Sequence, residues 1–270
     1  VRGSVAFVIH SHPGPINEWL MEQITMIDAL KRASSRSITV VWPFYPNARQ
    51  DKKHRGREPI SARLIADVYR TAGADRLMCV DLHTSQIQGC FDGPLEHLFA
   101  IPVLAKHIRE RVDDLSNVTV VSPDTGRVRV AEHWADLLDG APLAFVHKTR
   151  DINVPNQAVS KTVVGDIEGR TCVLIDDMID TGGTIAGAVK VLMDKGAKEV
   201  IIAATHPVLS DPAAERLSQC GAVEVIVTNT LPVPEEKQFD NLTILSIAPL
   251  IARAIREVFD EGSVTEIFEH

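Results

Sequence analysis

The sequence predicts an α/β fold of mainly parallel sheets flanked by helices. Three observations lead there. Strand-like and helix-like segments alternate along the 270 residues, and strands spaced by helices of this length imply βαβ units with parallel pairing. The residues richest in chemistry follow predicted strands, where open parallel sheets bind their ligands. Hydrophobic content is 45% and charged content 24%, the balance of an ordinary globular chain.

The elements fall in order. The apolar run Val5–His10 reads as a strand, and Ile16–Arg32 follows with helical spacing. The β-branched run Ile38–Phe44 is the second strand, Pro59–Ala72 the second helix and Arg76–Leu82 the third strand. After Pro102–Arg111, a helix, come the strands Val118–Ser122 and Leu143–Lys148, separated by the helical pattern Val128–Leu138. Thr171–Asp176 is a buried strand that leads to the helix Thr184–Lys195. Glu199–Thr205 and Val223–Thr228 are strands around the short helix Ala213–Gln219, and Ala248–Phe259 closes the pattern as a helix. Pro94–Pro102 divides three strands from five, so two domains are expected, residues 1–98 and 99–270. Val1 is not a Met and strand character begins at once, which predicts an upstream segment outside these residues. Glu261–His270 lacks turn signals and is expected to be loosely held.

Bulk properties narrow the function. The net charge of -8 argues against a general nucleic-acid binder. No apolar run approaches the ~20 residues of a membrane helix, and no signal peptide opens the chain. The four cysteines, Cys79, Cys90, Cys172 and Cys220, show no CxxC spacing and read as buried thiols of a reducing cytoplasm.

The most informative segment is Val173–Thr184, VLIDDMIDTGGT. A buried strand delivers the acids Asp176, Asp177 and Asp180, then the small-residue loop Thr181-Gly182-Gly183-Thr184, to a helix N-terminus. Glycines let the backbone approach a phosphate, N–H groups point at it, and the helix dipole favours the anion. Carboxylates one turn away suit vicinal hydroxyls or a metal. Phosphate at one end and diol at the other outline a ribose 5-phosphate.

Four further segments carry candidate chemistry. PFYPNARQDKKHRGREP, residues 43–59, concentrates cations at Arg49, Lys52, Lys53, Arg55 and Arg57, with Arg63 just beyond. On charge alone it fits either a solvated loop or a cradle for a polyanion such as ATP. No Walker A signature occurs, so a nucleotide here would rest on side chains such as Arg49 and Gln50. In CVDLHTSQIQGCFDGP, His83 reads as a structural histidine, since Mg²⁺ prefers oxygen ligands. Asp124, in the SPDTGRVR turn before a helix, is either a turn former or part of a metal–phosphate site. Lys148 and Arg150 alternate at the end of a strand, so both can point to one side. The polar stretch beyond them to Thr162 reads as a lid.

Together, ARQDKKHRGREPISARL, VDLHTSQIQGCFDGP, SPDTGRVR, HKTRD and VLIDDMIDTGGT resemble the ribose-phosphate pyrophosphokinase family, along essentially the whole chain and in the family's order. The resemblance implies two tandem phosphoribosyltransferase-like (type I) domains, the second carrying the ribose 5-phosphate loop, assembled as homohexamers built from dimers. It implies ATP contacts at Arg49 and Gln50, and a Mg²⁺ site at His83 and Asp124, which replaces the structural reading of His83. It further implies catalytic roles for Lys148 and Arg150, and ribose 5-phosphate contacts from Arg150, Asp176, Asp177, Asp180, Thr181, Gly182, Gly183 and Thr184. The family's upstream segment, which brings a Phe to the adenine, is not among these residues, and Thr149 stands where the family often has a basic residue. The implied activity is transfer of diphosphate from Mg-ATP to ribose 5-phosphate in the cytoplasm. A non-catalytic regulatory relative, or a transferase that consumes phosphoribosyl pyrophosphate, are the competing readings.

Overall fold

The computed structural model describes residues 1–11, 14–53, 55–123, 128–149 and 160–268. Its packing forms two compact units: Val1–Ala100 with Thr230–Pro232 and Ser246–His270, and Ile101–Asn229 with Val233–Leu245. The boundary expected near residue 98 therefore describes one crossing of the chain only. The final helix, assigned above to the second domain, packs with the first unit, where α7 (Ala248–Phe259) meets β4 (Leu95–Leu98). Of the segment expected to be loosely held, Glu261–His270, residues 261–268 are described. Thr265–Phe268 forms a 3-10 turn, and the Phe268 ring stands edge-on to Phe99 at 5.4 Å.

The first unit is a four-stranded parallel sheet in the order β1 (Val5–Ile9), β2 (Ser37–Trp42), β3 (Arg76–Val80), β4. The two inner strands are buried almost throughout, as parallel strands covered on both faces must be. The helix α1 (Ile16–Arg32) buries Trp19, Leu20, Gln23 and Ile27, one helical stripe. Glu18 in its first turn and Lys31 and Arg32 in its last complement the helix dipole.

Gln23 is wholly buried and its polar atoms are used. Its amide donates to the Val8 carbonyl at 3.0 Å, and its Oε1 accepts from Trp42 Nε1 at 2.7 Å and from the Tyr69 hydroxyl at 2.9 Å. Tyr69, on α2 (Ser61–Ala72), packs edge-on to Trp42 at 4.5 Å. Burial pushes the Tyr69 phenol well above its ordinary pKa, so it remains a neutral donor. Tyr69→Phe removes one of two donors to Gln23 Oε1 and leaves Trp42 in place. We expect a loss of about 1 kcal/mol in denaturant unfolding, the ordinary worth of one such bond.

The second unit is a seven-stranded sheet in the order β11-β10-β9-β8-β5-β6-β7, where β5 is Val118–Ser122, β6 Leu143–Thr149, β7 Ser160–Val164, β8 Thr171–Ile179, β9 Glu199–Pro207, β10 Glu224–Thr228 and β11 Leu242–Leu245. Pairing is parallel except between β6 and β7. The chain starts this sheet at β5, proceeds to β6 and β7, then returns to the other side of β5 to lay down β8. Strand order thus reverses between β5 and β8. A crevice for a ligand opens at such a reversal, beyond the carboxyl ends. Three strands not anticipated, β4, β7 and β11, are all sheet edges. All seven expected helices are present within a residue or two of their expected bounds.

The cysteines are free thiols, as expected. Burial drives the Cys79 thiol pKa far up and pushes Cys172 up to about 11. Cys90 and Cys220, half-buried, are raised by the same cause. Because the thiolate is the reactive form, a disulfide reagent at pH 8 should titrate Cys90 and Cys220 slowly in the native protein. The buried Cys79 and Cys172 should react only in denaturant.

Candidate functional site

In the second unit the phosphate-loop candidate sits where the strand reversal places it. The register of β8 with β5 ends at Val121↔Leu174, whereas that with β9 runs on to Ile179↔Pro207. The last residues of β8 thus extend past the pairing with β5, at the crevice. Asp176 and Asp177 lie within this extension, where the sequence reading ended the strand at Asp176. They are consecutive strand residues, Asp176 half-buried and Asp177 8% exposed. Asp176 Oδ1 accepts the Asp177 backbone N–H at 2.9 Å, which fixes the first carboxylate.

Asp180 and Thr181 then lead to Gly182, the N-cap of α5 (Gly183–Asp194), in a left-handed conformation with φ 70° and ψ -5°. Glycine takes that geometry without the cost a side chain incurs. The first intrahelical bond runs from Ala186 N to Gly182 O at 2.9 Å. The first turn of α5 therefore presents its N–H groups and the positive end of its dipole beyond the strand end. Thr181, Gly183 and Thr184 are exposed, while Gly182 is buried. The opposite stripe of α5, Ile185, Ala188, Val189 and Leu192, is buried in the core and anchors the loop.

Lys148 lies on β6, in antiparallel register with Lys161. Arg150 and Asp124 lie outside the described residues. In the sequence, Asp124 comes two residues after the last residue of β5.

In the first unit, two loops leave neighbouring strands at one end of the sheet. Arg49 and Gln50, after β2, are both exposed. The turn holding them is closed by Gln50 N to Asn47 O at 2.9 Å and by Asn47 Nδ2 to Gln50 Oε1 at 3.2 Å. His83, after β3, is half-buried. The next residue ties the two loops together, since Thr84 Oγ1 donates to Asp51 Oδ2 at 2.6 Å. This link joins the Arg49 and His83 segments, and nothing in the residue spacing announced it. The cations Arg49, Lys52, Lys53, Arg55 and Arg57 are exposed. Arg63 instead pairs with Asp67 on α2 at 2.8 Å and belongs to the helix surface. Asp81 bends the chain after β3 with φ 38° and accepts the Ala100 N–H at 3.1 Å, so it secures the end of β4.

Among the described residues no group of three His, Cys, Asp or Glu side chains is placed to hold a metal ion. No helix among the described residues is long and apolar enough to cross a membrane.

Residues 1–73 match the family model described as the N-terminal domain of ribose phosphate pyrophosphokinase, and residues 138–269 match the phosphoribosyl synthetase-associated domain. The chain is 68% identical over 269 residues to the ribose-phosphate pyrophosphokinase of Mycobacterium tuberculosis, an alignment covering 100% of this chain and 82% of that relative. It is 65% identical over 269 residues to the ribose-phosphate pyrophosphokinase of Corynebacterium glutamicum, with the same coverage. The crystal structure of phosphoribosylpyrophosphate synthetase from Mycobacterium smegmatis matches with a TM-score of 0.91 and 65% identity, over 97% of this chain and 85% of that one.

Proposed function

The chain belongs to the ribose-phosphate pyrophosphokinase family, and from that premise we propose how its residues divide the work of the reaction. The enzyme transfers the β,γ-diphosphoryl group of ATP to the anomeric hydroxyl of ribose 5-phosphate, yielding phosphoribosyl pyrophosphate and AMP. The oxygen of that hydroxyl attacks the β-phosphorus in line. The bond from the β-phosphorus to the oxygen bridging to the α-phosphorus breaks, AMP departs on that oxygen, and the hydroxyl proton is released. Such a transfer needs positioning and charge neutralisation and no covalent enzyme intermediate.

The loop Thr181-Gly182-Gly183-Thr184 holds the 5-phosphate on the N-terminus of α5, and Asp180 sets the entry to the loop. Asp176, the more accessible of the paired acids, takes ribose hydroxyls with Asp177 behind it. Arg49 and Gln50 hold ATP in the first unit. Lys148 and Arg150 meet the charge developing on the transferred phosphates. His83 and Asp124 are the residues that would hold the Mg²⁺ of Mg-ATP, and the bound ion supplies charge neutralisation of the triphosphate. A homo-oligomer built from dimers, up to a hexamer, and a place in the cytoplasm complete the reading. The free thiols suit a reducing compartment. The two tandem phosphoribosyltransferase-like domains expected from the sequence correspond in this reading to the two units.

One observation carries the assignment: the left-handed Gly182 turn, preceded by acids on the extended end of β8, stands at the strand reversal of the sheet. The test is incubation with ATP, Mg²⁺ and ribose 5-phosphate, followed by detection of AMP. AMP formation that requires the sugar phosphate supports the assignment. Its absence, with phosphoribosyl pyrophosphate consumed in the presence of a free base, would replace it with a phosphoribosyltransferase.

A further inference from the structure

We propose that Arg216 is a positioning residue for the sugar-phosphate loop, acting through the Thr181 carbonyl. The inference rests on the assignment of residues 181–184 to the 5-phosphate. Arg216 lies on the short helix α6 (Ala213–Gln219), 35 residues downstream of Thr181, and its Nη1 donates to the Thr181 carbonyl at 2.9 Å. The same helix packs on the loop. A Cβ built on Gly182 would stand 3.5 Å from both Ala213 Cα and Leu217 Cγ, and one on Gly183 would stand 3.5 Å from Arg216 Nη1. The turn before α6 is joined to β8 by Leu209 N donating to Ile179 O at 2.9 Å. Lys237 Nζ in turn donates to the Leu209 carbonyl at 2.7 Å.

The consequence follows from peptide geometry. In a planar trans peptide the C=O and the N–H point in opposite directions. Holding the Thr181 oxygen toward Arg216 therefore turns the Gly182 N–H away from α6. It also keeps a partial negative charge from swinging toward an incoming phosphate. The guanidinium itself is exposed and adds a permanent positive charge beside a loop built for an anion. None of this assigns Arg216 a contact with the reacting atoms, so its influence should fall on sugar-phosphate binding alone.

The experiment compares wild type, Arg216→Ala and Arg216→Lys in calorimetric titration with ribose 5-phosphate and in steady-state kinetics. Arg216→Ala is expected to weaken ribose 5-phosphate binding by about ten- to a hundredfold, the range for a lost charge-assisted bond. KM for Mg-ATP should stay unchanged, and kcat should change far less than KM for the sugar phosphate. Arg216→Lys keeps the charge without the planar fork and should recover part of the loss. If Arg216→Ala does not fold, Arg216→Gln is read by the same criterion. Unaltered ribose 5-phosphate affinity overturns the proposal, and so does a parallel rise in both KM values, which would mark general loosening. A wild type that does not bind ribose 5-phosphate would instead overturn the loop assignment beneath it.

Discussion

Lys148→Ala is expected to lower kcat by about 10²–10³-fold, the usual consequence of removing one donor aimed at charge that develops in the transition state. Lys148 lies on β6, which is hydrogen-bonded to β5, so its backbone belongs to the strand that neighbours the β5–β8 reversal. The sugar phosphate, by contrast, is assigned to the loop after β8. Removing Lys148 should therefore spare ribose 5-phosphate affinity while turnover falls. Calorimetry with the sugar phosphate beside a discontinuous AMP assay separates the two effects. Unchanged kcat would take Lys148 out of the mechanism. A loss confined to ribose 5-phosphate affinity would move it to the binding site.

Gly182→Val attacks the loop proposed to hold the sugar phosphate. A β-branched residue at φ 70° is a steric outlier, and the left-handed conformation alone costs roughly 1–2 kcal/mol. The Cβ would stand 3.5 Å from Ala213 Cα and Leu217 Cγ, in ordinary contact, so the added methyl groups would crowd α6. Overpacking of that sort costs about 1–3 kcal/mol. The combined strain is centred on the anion cradle. We expect a lower melting temperature together with a fall in kcat/KM for ribose 5-phosphate of at least about tenfold. A variant of native stability that retained full affinity would show that the left-handed turn is not what holds the phosphate.

How much of this was legible in the sequence depended on burial and on reach along the chain. Inner strands such as Val40–Trp42 and Val173–Ile175 are apolar at every position because both faces are covered, and they were readable at once. Edge strands are not. Leu95–Leu98 carries Glu96 and His97, Ser160–Val164 opens on Ser-Lys, and Leu242–Leu245 is partly exposed throughout. None makes a run that stands out from a loop, because an edge strand meets solvent on one side. The phosphate loop was legible because its strand, acids, glycines and helix are consecutive. Arg216 and the Thr84–Asp51 link were not, since each joins segments brought together only by packing. For Arg216 a weak signal existed: a lone cation on a short helix that follows the next strand of the same sheet. The strand end beyond Asp176 is not legible because Asp177 and Met178 interrupt the apolar run, although pairing with β9 is taken up again at Met178 and Ile179.

The return of Ser246–His270 to the first unit bears on how the protein is made. A ribosome releases residue 100 long before residue 246, so the N-terminal sheet must wait, incompletely covered, while the intervening unit emerges and can close first. Removal of residues 246–270 would therefore strip protection from the opening sheet and leave the interposed one whole.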